Sequence, residues 1–205
     1  MSPEITLFES VDNRAVYLRN RLFPGDVGRV ISFHGEIYGR EHGLGPVFEG
    51  YVAKTVGDFA LRHTGTAGRT DAAKKGNDGV NGNDGVNGND GASGGAEKIW
   101  LLSQEGSLDL VGCCAVIDAG EGKAQFRWFL IDPLFRGFGL GGRLLERAID
   151  FARSVGYREL FLFTGDFLPS AAHLYRKKGF TLTDEKPFTD WEMHFNEQRY
   201  SLPLE

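Results

Sequence analysis

The sequence predicts an α/β domain, a mixed sheet with helices on both faces, and three observations lead there. Apolar runs of strand length and amphipathic runs of helix length follow one another in the order β-α-α-(loop)-β-β-β-α-β-α-β-β. One strand, Ala124 to Ile131, stops at Asp132-Pro133 and turns through glycines straight into an amphipathic run. The 205 residues, 41% of them hydrophobic, suit one domain with a sizeable core.

In chain order, Ile5 to Phe8 is strand-like, and Tyr17 to Phe23 leads into a Pro24-Gly25 stop. Asp26 is placed to N-cap a helix running to about Glu41, with Gly43 as its C′ residue. A second helix is expected from Val47 to Arg62, where Phe48, Tyr51, Val52, Val56 and Phe59 recur near the helical period. Thr64 to Ala96 then lacks large apolar residues almost entirely, and GNDGVN occurs twice before GNDGAS. Glycine at every third position invites a collagen reading, but the run is short and free of proline. Asn-Asp-Gly is turn-forming, so residues 64–97 are expected to be a solvent loop inserted into a single domain spanning 1–205. A trimerising or metal-binding repeat is the alternative, although the spacing of calcium-binding nonapeptides is absent.

Strands resume at Ile99 to Ser103, Leu108 to Asp118 and Ala124 to Ile131. Arg143 to Val155 places Leu144, Leu145, Ala148, Ile149 and Ala152 on one helical face. Glu159 to Thr164 reads as a buried strand, and Ser170 to Lys178 as a short helix stopped by Gly179. Phe180 to Thr183 and Met193 to Leu202 close the sheet.

With 28 acidic against 23 basic residues, the net charge of -5 argues against nucleic-acid binding. An anionic ligand must therefore be held by a local site. Cys113 and Cys114 would point to opposite faces of a strand and read as buried thiols of a reducing compartment. With no membrane-length apolar run and no signal-peptide pattern, a cytoplasmic protein without membrane contact is expected.

The turn Arg136-Gly137-Phe138-Gly139-Leu140-Gly141-Gly142 is built for an anion. A helix N-terminus offers unpaired N–H groups and partial positive charge, and glycines admit a phosphate close to the backbone. A dinucleotide fingerprint matches in part, through Gly137, Gly139 and Gly142, but the turn lies late in the chain and Glu159 starts a strand instead of ending one. The Gly-Lys-Ser/Thr of a phosphate-binding P-loop is missing.

Taken together, Ile131-x-Pro133-x-x-Arg136-x-x-Gly139-x-Gly141, the following helix and strand, and Ala171-x-x-Leu174-Tyr175-x-Lys177-x-Gly179-Phe180 resemble the GCN5-related N-acetyltransferases, the GNAT superfamily. Pro24-Gly25-Asp26 and His34-Gly35-x-x-Tyr38-x-x-Glu41-x-Gly43 resemble the acetyltransferase half of fusions with a MarR-type DNA-binding domain, with no such domain expected here. The resemblance implies a mostly antiparallel sheet, acetyl-CoA as cosubstrate, and direct acetyl transfer to a primary amine of a small molecule. It further implies that the backbone from Arg136 through Gly137, Phe138, Gly139 and Leu140 to Gly141, bordered by Gly142, cradles the coenzyme A pyrophosphate, with the Arg136 and Arg143 side chains nearby. Leu130 and Ile131 would pair with the pantetheine amides, the Ile131 N–H polarising the thioester carbonyl, and Tyr175 would protonate the departing thiolate. Leu168 stands where many members carry asparagine, which removes one cofactor contact.

For the acceptor, His34, Tyr38 and Glu41 share one face of the first long helix, so His34 and Tyr38 are candidate substrate contacts. Glu41 and Glu36 are the candidate bases, and Asp166 is a third acidic candidate for the acceptor. Gly35 and Gly39 beside that face suggest close approach by another backbone or a ligand. No metal site is expected; a homodimer through the last strands is in keeping with the resemblance. The rival readings are an acyl-CoA sensor without transfer and a protein-lysine acetyltransferase.

Overall fold

The structure, a computed structural model, describes residues 5–12, 14–64, 96–191 and 193–204. The glycine repeat lies outside the described residues. The described chain runs β1 (Thr6–Val11), β2 (Arg14–Arg19), α1 (Asp26–His42), α2 (Pro46–Thr64), β3 (Lys98–Gln104), β4 (Leu110–Asp118), β5 (Lys123–Ile131), α3 (Leu140–Ser154), β6 (Glu159–Gly165), α4 (Pro169–Lys177), β7 (Thr181–Phe188) and β8 (Phe195–Pro203). The strands form one sheet in the order β1-β2-β3-β4-β5-β6-β8-β7. Every pairing is antiparallel except β5 with β6.

The sheet separates two apolar layers, as expected from the sequence. Leu144, Leu145, Ala148 and Ile149 of α3 and Ala172 and Tyr175 of α4 pack on one face. Val30 and Ile37 of α1 and Phe48, Val52, Val56 and Phe59 of α2 pack on the other. Alternation along β4 sends Cys114 to the first layer and Cys113 to the second, both buried and free.

Three details differ from the sequence expectation. A hairpin, β1 and β2, stands where one strand was expected, because Val16 and Leu18 point inward from a run too short to announce itself. α3 starts at Leu140, so the glycine turn supplies its first turn. Asp26 does not cap α1: Gly25 occupies that place with φ 91°, and the Asp26 carboxylate is folded inward. It accepts from Arg19 at 2.5 and 3.1 Å, from the Phe23 N–H at 2.7 Å and from Arg29 at 3.2 Å. Burial alone would raise the Asp26 carboxyl, but the hydrogen bonds and charges around it outweigh that and hold it below its usual value.

The feature that positions the site is where the sheet opens. β5 and β6 pair only at Lys123–Glu159, Ala124–Leu160 and Gln125–Phe161. Beyond Gln125 the two strands part while each keeps its outer neighbour, β4 and β8. A bulge lies beside the divergence: opposite the single β4 residue Cys114, β5 places two, Trp128 and Phe129, and Trp128 takes φ 50°. That backbone is held in place by the Cys113 thiol donating to the Trp128 carbonyl at 3.1 Å and the Trp128 indole donating to Thr55 at 3.2 Å.

Candidate active site

A cleft of about 2770 Å³ runs from the parted strands to the α1–α2 side of the sheet. At one end lies the glycine turn. Asp132 caps a short 3₁₀ turn, Pro133–Phe135, by accepting from the Leu134 N–H. Gly137 and Gly139 then take φ 86° and 82°, conformations that L side chains rarely adopt. Gly139 precedes α3 without a side-chain cap, and the first helical bond reaches it from Arg143. The Leu140, Gly141 and Gly142 N–H groups are therefore left for a ligand. A Cβ on Gly141 would stand 3.0 Å from the Phe129 ring, a tight contact that the ring would have to yield to. Donors, dipole and bare backbone fit a diphosphate.

The edge of β5 leads from this turn into the cleft. The Asp132 N–H bonds the Val111 carbonyl on β4 at 2.8 Å. Alternation then directs the Ile131 N–H to the opposite, open edge. The side chains of Leu130 and Ile131 are buried in the two different layers, which fixes that orientation. Tyr175 faces the same opening from α4, its ring packed among Phe126, Phe129, Phe180 and Tyr200. Burial, reinforced by nearby Tyr38, pushes its hydroxyl well above the ordinary tyrosine range, so it carries its proton throughout the physiological pH range.

The remaining expected residues are sorted by the fold. Gly137, Gly139, Gly141 and Gly142 line the cleft, with Leu140 anchoring the turn in the core; Phe138 is exposed at its rim. The Arg136 guanidinium lines the cleft but is held on its own chain, Nε bonding the Ile131 carbonyl at 3.0 Å and both terminal nitrogens bonding Glu41 at 2.8 and 2.9 Å. Arg143 lies elsewhere, paired with Glu9 and stacked on Phe8. His34, Tyr38 and Glu41 do share the cleft. Glu36 and Asp166 are exposed and outside its lining. Gly35 serves packing, because a Cβ there would meet the Glu49 carboxylate of α2 at 2.8 Å.

His34 is buried, Nδ1 lies 2.8 Å from the Val30 carbonyl, and burial lowers its pKa to about 4. A histidine that charges more readily unfolded than folded stabilises the fold fully above pH 6.5, and that contribution drains away as pH falls toward 4. The expected loss is on the order of 3 kcal/mol between pH 7 and 4. Urea titrations at several pH values check this: the His34→Gln chain should lose that part of the slope, and an unchanged slope would refute it.

No pattern along the chain announces the cleft's aromatic wall. His42, Phe48, Phe167, Trp191 and Phe195 line it together with Tyr38, drawn from four separate stretches of the chain.

Comparison with known proteins bears on the fold. Residues 84–180 match the model of the Acetyltransferase (GNAT) family. Over 92% of its length the chain superposes on 99% of a GNAT-family acetyltransferase from Streptococcus pneumoniae, with a TM-score of 0.58 and 17% identity. The fold is that of the GNAT acetyltransferases. A GNAT-family structure from Desulfovibrio desulfuricans gives a TM-score of 0.62 at 19% identity, covering 92% and 99% of the two chains. In sequence, the chain is 41% identical over 80 residues to an IAA acetyltransferase of Azospirillum brasilense, 38% of this chain and 51% of the relative. It is 33% identical over 91 residues to human N-acetyltransferase 8, 43% and 40% of the two lengths. The chain thus spans about half the length of the curated relatives it matches. Among the described residues, no helix is long and apolar enough to cross a membrane.

Proposed function

We propose that this GNAT-fold chain is an acetyl-CoA-dependent N-acetyltransferase acting on a primary amine of a small molecule. The observation that carries the reading is the continuity of the site: uncapped α3 N–H groups, the open edge of β5 and Tyr175 line one cleft. Acetyl-CoA supplies the acetyl group as a thioester.

The Leu140, Gly141 and Gly142 N–H groups hold the diphosphate, and Ile131 donates its N–H to the thioester carbonyl, where negative charge develops as the amine adds. As the C–N bond forms and the C–S bond breaks, Tyr175 hands its proton to the leaving thiolate, and an amine proton balances the exchange. Glu41 is the proposed base for that proton. It is held by Arg136 in the free protein, and a diphosphate that draws Arg136 to itself would release the carboxylate. A sensor that binds without transferring is the reading to exclude.

Calorimetry with acetyl-CoA and thiol release across an amine panel test the proposal. Tyr175→Phe is expected to keep acetyl-CoA affinity within about two-fold while kcat falls about a hundred-fold. Binding without thiol release for any amine would favour the sensor.

A further inference from the structure

The aromatic wall is a closed circuit. Consecutive ring centroids are 4.9 Å apart for Tyr38–Phe48, 5.0 Å for Phe48–Trp191, 5.8 Å for Trp191–Phe195, 5.1 Å for Phe195–Phe167, 5.0 Å for Phe167–His42 and 5.6 Å for His42–Tyr38. No ring of the six is in contact with the one opposite it, and all six line the cleft. The circuit is braced at Trp191, on which Tyr51 and Phe188 pack. The backbone is shaped for it as well: a Cβ on Gly165 would stand 2.2 Å from the Phe167 ring, so only glycine lets that ring lie across the end of β6.

Glu41 is bonded to Arg136 at 2.8 Å, and Glu197 to Lys186 at 3.3 Å. A flat apolar group at the circuit would find ring faces and edges at stacking range on every side.

We propose that this circuit is the acceptor subsite and that it takes an arylalkylamine, a primary amine carried on a short chain from an aromatic ring. The inference rests on the acetyltransferase reading and names its substrate class. The aryl group enters the circuit, and its amine reaches toward the open edge at Ile131.

The test compares 2-phenylethylamine and tryptamine with n-hexylamine and spermidine in thiol-release assays, with acetyl-CoA affinity measured separately by calorimetry. The aryl amines should exceed both others in kcat/KM by at least about ten-fold. Trp191→Ala should raise the aryl-amine KM about ten-fold while leaving the acetyl-CoA affinity unchanged, and Trp191→Phe should restore most of it. Gly165→Ala, which displaces Phe167, should weaken the aryl amines in the same selective way. Preference for spermidine, equal use of n-hexylamine, or intact acetyl-CoA binding with no turnover of any aryl amine overturns the subsite assignment alone. Absence of acetyl-CoA binding overturns the acetyltransferase reading beneath it.

Discussion

Replacing Asp26 with alanine is expected to cost the fold about 3–5 kcal/mol. The Asp26 side chain is fully buried, and Arg19, its main partner, is only 3% exposed. Removing the carboxylate strands a guanidinium with no water to take the carboxylate's place, which is the expensive way to break a buried pair. The Phe23 N–H would lose its acceptor at the same time. Urea denaturation of Asp26→Ala, Arg19→Met and the double variant Arg19→Met/Asp26→Leu distinguishes charge from packing. The double variant should recover most of the loss, because neither charge is then left alone. A cost below about 1 kcal/mol for Asp26→Ala would mean that the pair is solvated in solution. Because the Asp26 carboxyl is held below its usual value, its contribution should persist down to about pH 4 and fade only as pH falls further through the lowered value.

The consequence for function runs along α1. Asp26 fixes the start of the helix whose other turns bring His34, Tyr38, Glu41 and His42 to the cleft. A loosened α1 start would move the aromatic circuit and the Glu41–Arg136 contact together. Asp26→Ala should therefore weaken acceptor use more than acetyl-CoA binding, since the cradle belongs to α3.

The parts of this arrangement legible in the sequence are those written in local backbone chemistry. A strand ending at Pro133, glycines at 137, 139 and 141, and an apolar stripe along α3 specify a turn without knowledge of distant residues. The layering was legible for the same reason, since period 3.6 in α3 and period 2 in β4 assign faces directly. Asp26 shows the limit: the residue type favoured for a cap is also suited to a buried pair, and only Arg19 across the turn decides between them. Glu36 lies two residues from His34, some 200° around the helix by its 3.6-residue turn, which already argued against a shared face. Glu41 could not be judged at all, because its partner is 95 residues away in Arg136. The aromatic circuit was invisible for that reason too, as it needs α1, α2, the end of β6 and the approach to β8 in register.

Placing aspartate at Gly139 is expected to weaken acetyl-CoA at least a hundred-fold, while asparagine at the same position weakens it no more than about five-fold. The pair isolates charge from shape. Nothing stands within 4 Å of a Cβ on Gly139, so neither side chain clashes, and both meet the same backbone cost at φ 82°. That cost is about 1 kcal/mol, and asparagine and aspartate bear it better than most residues. What differs is a negative charge set against a diphosphate at the start of α3. At an effective dielectric near 20, two unit charges about 4 Å apart repel by roughly 4 kcal/mol. Partial screening reduces this to about 3 kcal/mol, which is a hundred-fold in affinity. Raising the salt concentration should narrow the gap between the two variants, as screening requires. Calorimetry on the wild type and both variants reads the result directly. Equal affinity for Gly139→Asp and Gly139→Asn would place the pyrophosphate somewhere other than this turn, and the direction assigned to the cosubstrate, thioester toward Ile131 and phosphates toward Gly139, would fall with it.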